Sequence, residues 1–89
     1  MGVFDNTEII YPAQWYGRAI VHAEQADVAG ERLHQTLLAF GVSDPPVRGE
    51  TSRNGTYVTF AVQALIRDAA MLASLPKALA EIEGVRMLL

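Results

Sequence analysis

Arginine is the side chain through which this sequence would do chemistry. Six of its seven basic residues are arginines, and a guanidinium presents a rigid fork suited to two-pronged pairing with carboxylate or phosphate. Arg18, Arg48 and Arg86 lie in stretches that alternate apolar and polar. Read by parity, they share the outer face of a half-buried sheet with Tyr57, because successive strand residues point to opposite sides. The segment Ser52-Arg53-Asn54-Gly55 is a turn whose backbone N–H groups, together with Arg53, would cradle an anion. Plain alternatives stand beside both readings. The first group also fits a solvated sheet face with cross-strand ion pairs, each worth about 0–1 kcal/mol. The second fits a hairpin whose residues serve only backbone conformation. The candidate ligand- or partner-binding residues are therefore Arg18, Arg48, Ser52, Arg53, Asn54, Gly55, Tyr57 and Arg86.

Other chemistries find little to build on. There are no cysteines and two histidines, His22 and His34, neither with a partner at ligand spacing; a metal site takes three or four convergent ligands. Glu81 and Glu83 diverge at a helix end, since i, i+2 positions do not face each other. No nucleophile-elbow pattern occurs. The sequence thus predicts no catalytic residue, metal or cofactor, and no enzyme. Arg53 to Phe60 partly fits the RNA-recognition signature, but Asn54 replaces its glycine and Gly55 its first aromatic. The missing ring forfeits about 1–3 kcal/mol of base stacking. Tyr11, Trp15 and Tyr16 gather near the start of the first strand, either as a partner anchor or, with Trp15, as closure of the core's end.

Seven basic against ten acidic residues give a net charge of −3 and a pI near 5.2, a poor balance for a phosphate backbone. No apolar run approaches the roughly 20 residues that span a bilayer, and the opening Met1-Gly2-Val3-Phe4-Asp5 has no basic region of a signal peptide. With no thiols to oxidise, a reducing, cytoplasmic setting is expected.

The elements that must position these residues follow from periodicity. Residues 1–10 show none and read as a flexible N-terminal arm, leaving 11–89 as a single domain. Trp15 to Ala23 alternates as a strand, with Trp15, Gly17, Ala19 and Val21 on one side. Asp27 is the expected N-cap of a helix carrying Ala29, Leu33, Leu37 and Phe40, with Gly41 as its stop. Gly30 inside that helix costs about 1 kcal/mol against alanine unless close helix–sheet packing requires it. Val47 to Thr51 is a short strand, and Asn54-Gly55 signals a hairpin in which both residues tolerate positive φ. Thr56 to Ala64 is the clearest strand, with Val58, Phe60 and Val62 inward. Asp68 caps a second helix through Leu72, Leu75, Leu79 and Ile82, in which Pro76 predicts a kink or a restart. Val85 to Leu89 closes the set, with Val85, Met87 and Leu89 inward. Two strand–helix–strand units joined by a hairpin predict an α+β, ferredoxin-like β-α-β-β-α-β sandwich: a four-stranded antiparallel sheet with two helices on one face.

Tyr11-Pro12 before a strand, the hairpin Ser52-Arg53-Asn54-Gly55-Thr56-Tyr57 and the ending Gly84-Val85-Arg86-Met87-Leu88-Leu89 resemble the bacterial YbeD family. The resemblance covers nearly the whole chain from Tyr11 onward. It implies a ferredoxin-like fold, akin to ACT-type regulatory domains, in a small cytosolic protein. Pro76 departs from the family's ordinary helical residue. The connection Glu24-Gln25-Ala26 is longer here and lacks the glycine of amino-acid-binding ACT loops. The reading that follows is a non-catalytic regulatory or interaction module, able to form a homodimer, that binds a small anionic metabolite or a protein partner. Single-stranded RNA binding on Tyr16, Arg18 and Tyr57 is the alternative.

Overall fold

The computed structural model describes residues 9–89; positions 1–8, most of the expected arm, lie outside the described residues. Strand β1 (Ala13–His22) passes through a 3-10 turn (Ala23–Gln25) into helix α1 (Ala26–Ala39). Strands β2 (Val47–Thr51) and β3 (Tyr57–Ile66) follow, then helix α2 (Ala69–Ala80) and strand β4 (Val85–Leu88). The sheet runs β2-β3-β1-β4 with every neighbouring pair antiparallel. This is the ferredoxin-like architecture that the periodicity predicts.

The two central strands set everything else. They pair without a break from Ala13 opposite Ile66 to His22 opposite Tyr57, so one alternation runs the length of both. Ala19, Val21, Val58, Phe60, Val62, Ala64 and Ile66 are buried on one side, under Ala29, Leu33 and Leu37 of α1 and Met71, Leu75 and Leu79 of α2. No polar or charged side chain among the described residues is buried there. The sheet–helix interface is therefore held by apolar burial, at about 25 cal/mol per Å².

Helix α1 lies close because Gly30 leaves room for a ring. A Cβ at Gly30 would stand 2.9 Å from Phe60 Cε2 and Cζ, so the exception anticipated for this glycine is what the packing shows. A second close approach occurs on β1, where the indole of Trp15 folds over Gly17, 2.6 Å from where a Cβ would be. Trp15 is partly buried against the core, which fits closure of the core's end.

Several local expectations are corrected. Asp27 is not the N-cap: the 3-10 turn starts the coil earlier, Gln25 takes the cap position and Asp27 sits in the first turn of α1. Pro76 does not restart α2, which is one helix from Ala69 to Ala80 with the proline inside it. Proline removes the N–H that would reach the Leu72 carbonyl, but fully buried Leu75 and Leu79 hold the helix on either side of it. Asp68 caps α2 as expected, its Oδ1 accepting from Met71 N–H at 2.9 Å. The third strand reaches Ile66, beyond its expected end.

The last strand carries the largest correction. Ala19 faces Leu88, Ile20 faces Met87 and Val21 faces Val85, so one residue of β4, Arg86, is extra. That bulge reverses the parity midway. Val85 and Leu88 pack against the core, whereas Met87 and Leu89 are exposed. Periodicity over so short a segment contained no sign of the extra residue.

The Gly30–Phe60 contact yields a test. Gly30→Ala is expected to lower stability by about 1–2 kcal/mol in a urea titration, although helix propensity alone would raise it by about 1 kcal/mol. An unchanged or higher midpoint would mean that the buried ring yields to the added methyl.

Candidate functional site

The sheet face turned away from the helices is the candidate site, and its composition differs from the arginine-rich surface expected. The positions that the register places there are Gln14, Tyr16, Arg18, Ile20 and His22 on β1 and Tyr57, Thr59, Ala61, Gln63 and Leu65 on β3. Val47, opposite Ala61, and Met87, opposite Ile20, join them from the edge strands. Arg18 is the one formal charge at these positions. Large apolar groups lie open instead: Tyr16 is 70% exposed, Val47 63%, Leu65 54% and Met87 44%.

A small residue shapes the middle of this face. Ala61 on β3 carries almost no side chain, the β1 backbone at Gly17 lies beside it, and Tyr16, Arg18 and Leu89 rise around them. The result is an open depression of about 500 Å³. A smaller one of about 180 Å³ adjoins it, lined by Pro45, Val47 and Gln63 and sharing Tyr16 and Ala61. At the far end of β1 the rings of His22 and Tyr57 meet at 5.3 Å, tilted by 42°. Tyr16 and the His22–Tyr57 pair stand six residues apart along β1, about 20 Å at roughly 3.3 Å per residue. The aromatics expected to stack bases thus share a face without forming one platform.

The structure scatters the eight sequence candidates. Arg18 and Tyr57 are on the open face as expected. Arg48 is not: it faces Phe60 across the β2–β3 ladder and points to the helix side. There its Nη1 donates to Asp27 Oδ1 at 2.8 Å, and the guanidinium lies 6.0 Å from the Phe60 ring centre. The cause is register. Between Arg48 and Thr51 the β2–β3 pairing shifts by one residue, and a one-residue slip exchanges faces. With the side chains 51% and 92% exposed, this ion pair fastens the edge strand to α1 only weakly. Arg86 is exposed at the β4 bulge, at the rim of the face.

The hairpin loop is a correction of a different kind. Asn54 does not take positive φ; Gly55 alone in the loop does, at 77°. Ser52 N–H donates to Tyr57 C=O at 2.7 Å, enclosing four loop residues rather than the two of a tight Asn-Gly turn. Of the four N–H groups from Ser52 to Gly55, those of Ser52 and Gly55 are bonded within the hairpin, and those of Arg53 and Asn54 have no acceptor among the described residues. Tyr57 N–H donates to Ser52 Oγ at 3.0 Å, Gly55 N–H to the Ser52 carbonyl at 2.9 Å and Thr56 N–H to Asn54 Oδ1 at 3.4 Å. Ser52 and Asn54 build the loop, and Arg53 is left exposed at its tip without an ion pair among the described residues.

Parity put Ala61 outward with Tyr57, but sequence reasoning missed Val47, Leu65 and Met87 as parts of this face. Leu65 was within reach, since the same parity puts it outward once the strand is carried to Ile66. Val47 and Met87 depended on bulges. No group of three or more His, Cys, Asp or Glu residues gathers among the described residues.

Fold and face together define a ferredoxin-like α+β domain whose sheet is open on one side. Among solved structures, the solution structure of protein HP0495 from H. pylori is similar over 92% of this chain and 86% of that one, with a TM-score of 0.77 and 20% sequence identity. No family model matches the sequence, and no curated protein does. The likeness at this identity is one of fold.

The loop yields the test here. Ser52→Ala removes the acceptor of the Tyr57 N–H and is expected to cost about 0.5–1.5 kcal/mol. Hydrogen exchange should show the Tyr57 amide losing protection before the rest of β3; equal protection in both proteins would assign that amide another acceptor.

Proposed function

We propose that the chain is a YbeD-like, non-catalytic interaction module of the bacterial cytosol, and that its open sheet face docks a protein partner. The observation that carries this reading is the charge depletion of that face. Nineteen per cent of the chain is charged, yet Arg18 alone is charged among the register-paired positions, amid exposed Tyr16, Val47, Leu65 and Met87. Few charges together with Tyr, Met and Arg is the composition of an interface centre. The absence of cysteine suits a reducing compartment.

The partner that fits is an amphipathic segment with an apolar stripe and a carboxylate. The apolar side chains would enter the depression over Ala61, and the carboxylate would meet Arg18, which has no ion pair among the described residues. A small anionic metabolite is the weaker branch, because two of the four amides from Ser52 to Gly55 already bond within the hairpin. RNA is weaker too, with one open-face arginine and the tyrosines far apart.

Selection of displayed peptides on the full chain, counter-selected on Ala61→Arg, tests the reading. Expected are peptides rich in Leu, Phe and Asp or Glu that perturb the amide resonances of Arg18, Ala61 and Gln63 and lose at least tenfold in affinity on Arg18→Ala. Peptides that map to α1 and α2 instead would sink it. So would mixed-sequence RNA that binds this face at low salt while no peptide does.

A further inference from the structure

Asn54 and Gly55 at the hairpin tip form a reactive pair. The carboxamide carbon of an asparagine is an electrophile, and the backbone nitrogen of the next residue can close a five-membered ring onto it. Glycine leaves that nitrogen unhindered. Both residues are exposed, and a Cβ at Gly55 would meet nothing within 4 Å. The chain's other asparagine, Asn6, precedes Thr7, whose side chain branches at Cβ and crowds the corresponding nitrogen.

The hairpin folds the electrophile over its attacker. Asn54 Oδ1 accepts from the Thr56 N–H at 3.4 Å and from the Ser52 hydroxyl at 3.2 Å. Thr56 is one residue beyond Gly55, so a carboxamide that reaches it lies along the Asn54–Gly55 peptide instead of extending into solvent. The same two donors meet the oxygen on which negative charge develops as the nitrogen adds, the position at which a donor lowers a barrier. Nδ2, the atom that leaves, makes no hydrogen bond among the described residues. One restraint opposes the reaction: Gly55 N–H donates to the Ser52 carbonyl at 2.9 Å. A single turn bond at an exposed tip delays it by at most roughly tenfold.

We propose that Asn54 is a site of spontaneous deamidation in the folded protein. The Gly55 nitrogen forms a bond to Asn54 Cγ, the Cγ–Nδ2 bond breaks, and the proton of the attacking nitrogen leaves with Nδ2 as ammonia. Water then opens the cyclic imide. Breaking the new Cγ–N bond leaves aspartate; breaking the original C–N bond leaves isoaspartate, in which the main chain runs through the side-chain carbons. One water enters and one ammonia departs at the first turnover of the pair, a carboxylate is gained, and nothing is oxidised or reduced. The proposal does not depend on the docking reading of the open face.

Either product sets a carboxylate beside Arg53, which is exposed and has no ion pair among the described residues. Isoaspartate does more. It adds a carbon to the main chain inside a loop closed by the Ser52–Tyr57 bond, and it draws into the main chain the carbonyl whose oxygen holds Thr56. Strand β2 is joined to the sheet through that loop, and its pairing with β3 already shifts between Arg48 and Thr51. Apart from that ladder, the exposed Arg48–Asp27 ion pair ties it to α1. The edge strand is therefore the part of the fold that the reaction loosens.

Incubation of the full chain at body temperature and neutral pH, followed by peptide mapping and an isoaspartyl methyltransferase assay, tests the proposal. Expected are ammonia release and a mass gain of about one dalton at Asn54, with isoaspartate outnumbering aspartate and Asn6 converting at least tenfold more slowly. The same chain unfolded in guanidinium chloride is the reference, and the native chain should react within tenfold of it. Asn54→Gln, whose longer side chain must close a six-membered ring, should abolish the gain. In the isoaspartyl form, hydrogen exchange should rise along the β2–β3 ladder before the β1–β3 ladder. Asn54 surviving more than tenfold longer in the native chain than in the unfolded one overturns the proposal, because the Ser52–Gly55 bond then guards the site. Conversion of Asn6 ahead of Asn54 overturns it too, as does a mass gain that persists in Asn54→Gln. Equal exchange in the native and isoaspartyl forms overturns the loosening of β2.

Discussion

The seating of α1 on the Phe60 ring is the contact on which the arrangement depends. Gly30 removes the one methyl that would hold the helix off the sheet, and Phe60 in turn fixes which side of β3 is inside. Because β1 and β3 are in unbroken register, that choice propagates across both central strands. Arg48 reaches over the same ring to Asp27 in the first turn of α1. The ring therefore lies between helix, central strand and edge strand, and the open face is what remains once it is covered.

Much of this architecture was legible in the sequence, and for one reason. Ten-residue strands such as β1 and β3 repeat their alternation often enough to declare a face, and Asp68 and Gly41 mark helix ends by chemistry that acts locally. What was illegible lay in the edge strands. Arg48 and Met87 were assigned to the wrong side because a single extra residue, in β2 and again in β4, reverses parity without changing composition. Tertiary pairing decides where such an extra residue is placed, and four or five residues of pattern cannot reveal it. The loop differs. Ser52 and Asn54 were read either as part of an anion cradle or as plain turn residues, and their side chains bond the Tyr57 and Thr56 amides, which is the work of a turn.

These errors share a direction, and together they change the character of the surface. Moving Arg48 to the helix side and Met87, with Val47, to the open side turns a supposed basic platform into an apolar one. Arg18 then stands almost alone, which is an arrangement better suited to choosing among protein segments than to gathering phosphates. A lone charge in apolar surroundings discriminates mainly by penalising a partner that leaves it unpaired. The hairpin tip, with Arg53 outward, is structurally separate from that face.

Trp15 has a practical consequence of its own. It is the chain's single tryptophan, laid over Gly17 where the start of β1 meets the end of the core. Its emission therefore arises from one known place, free of other indoles, and the protein carries a built-in optical gauge of polarity at that junction.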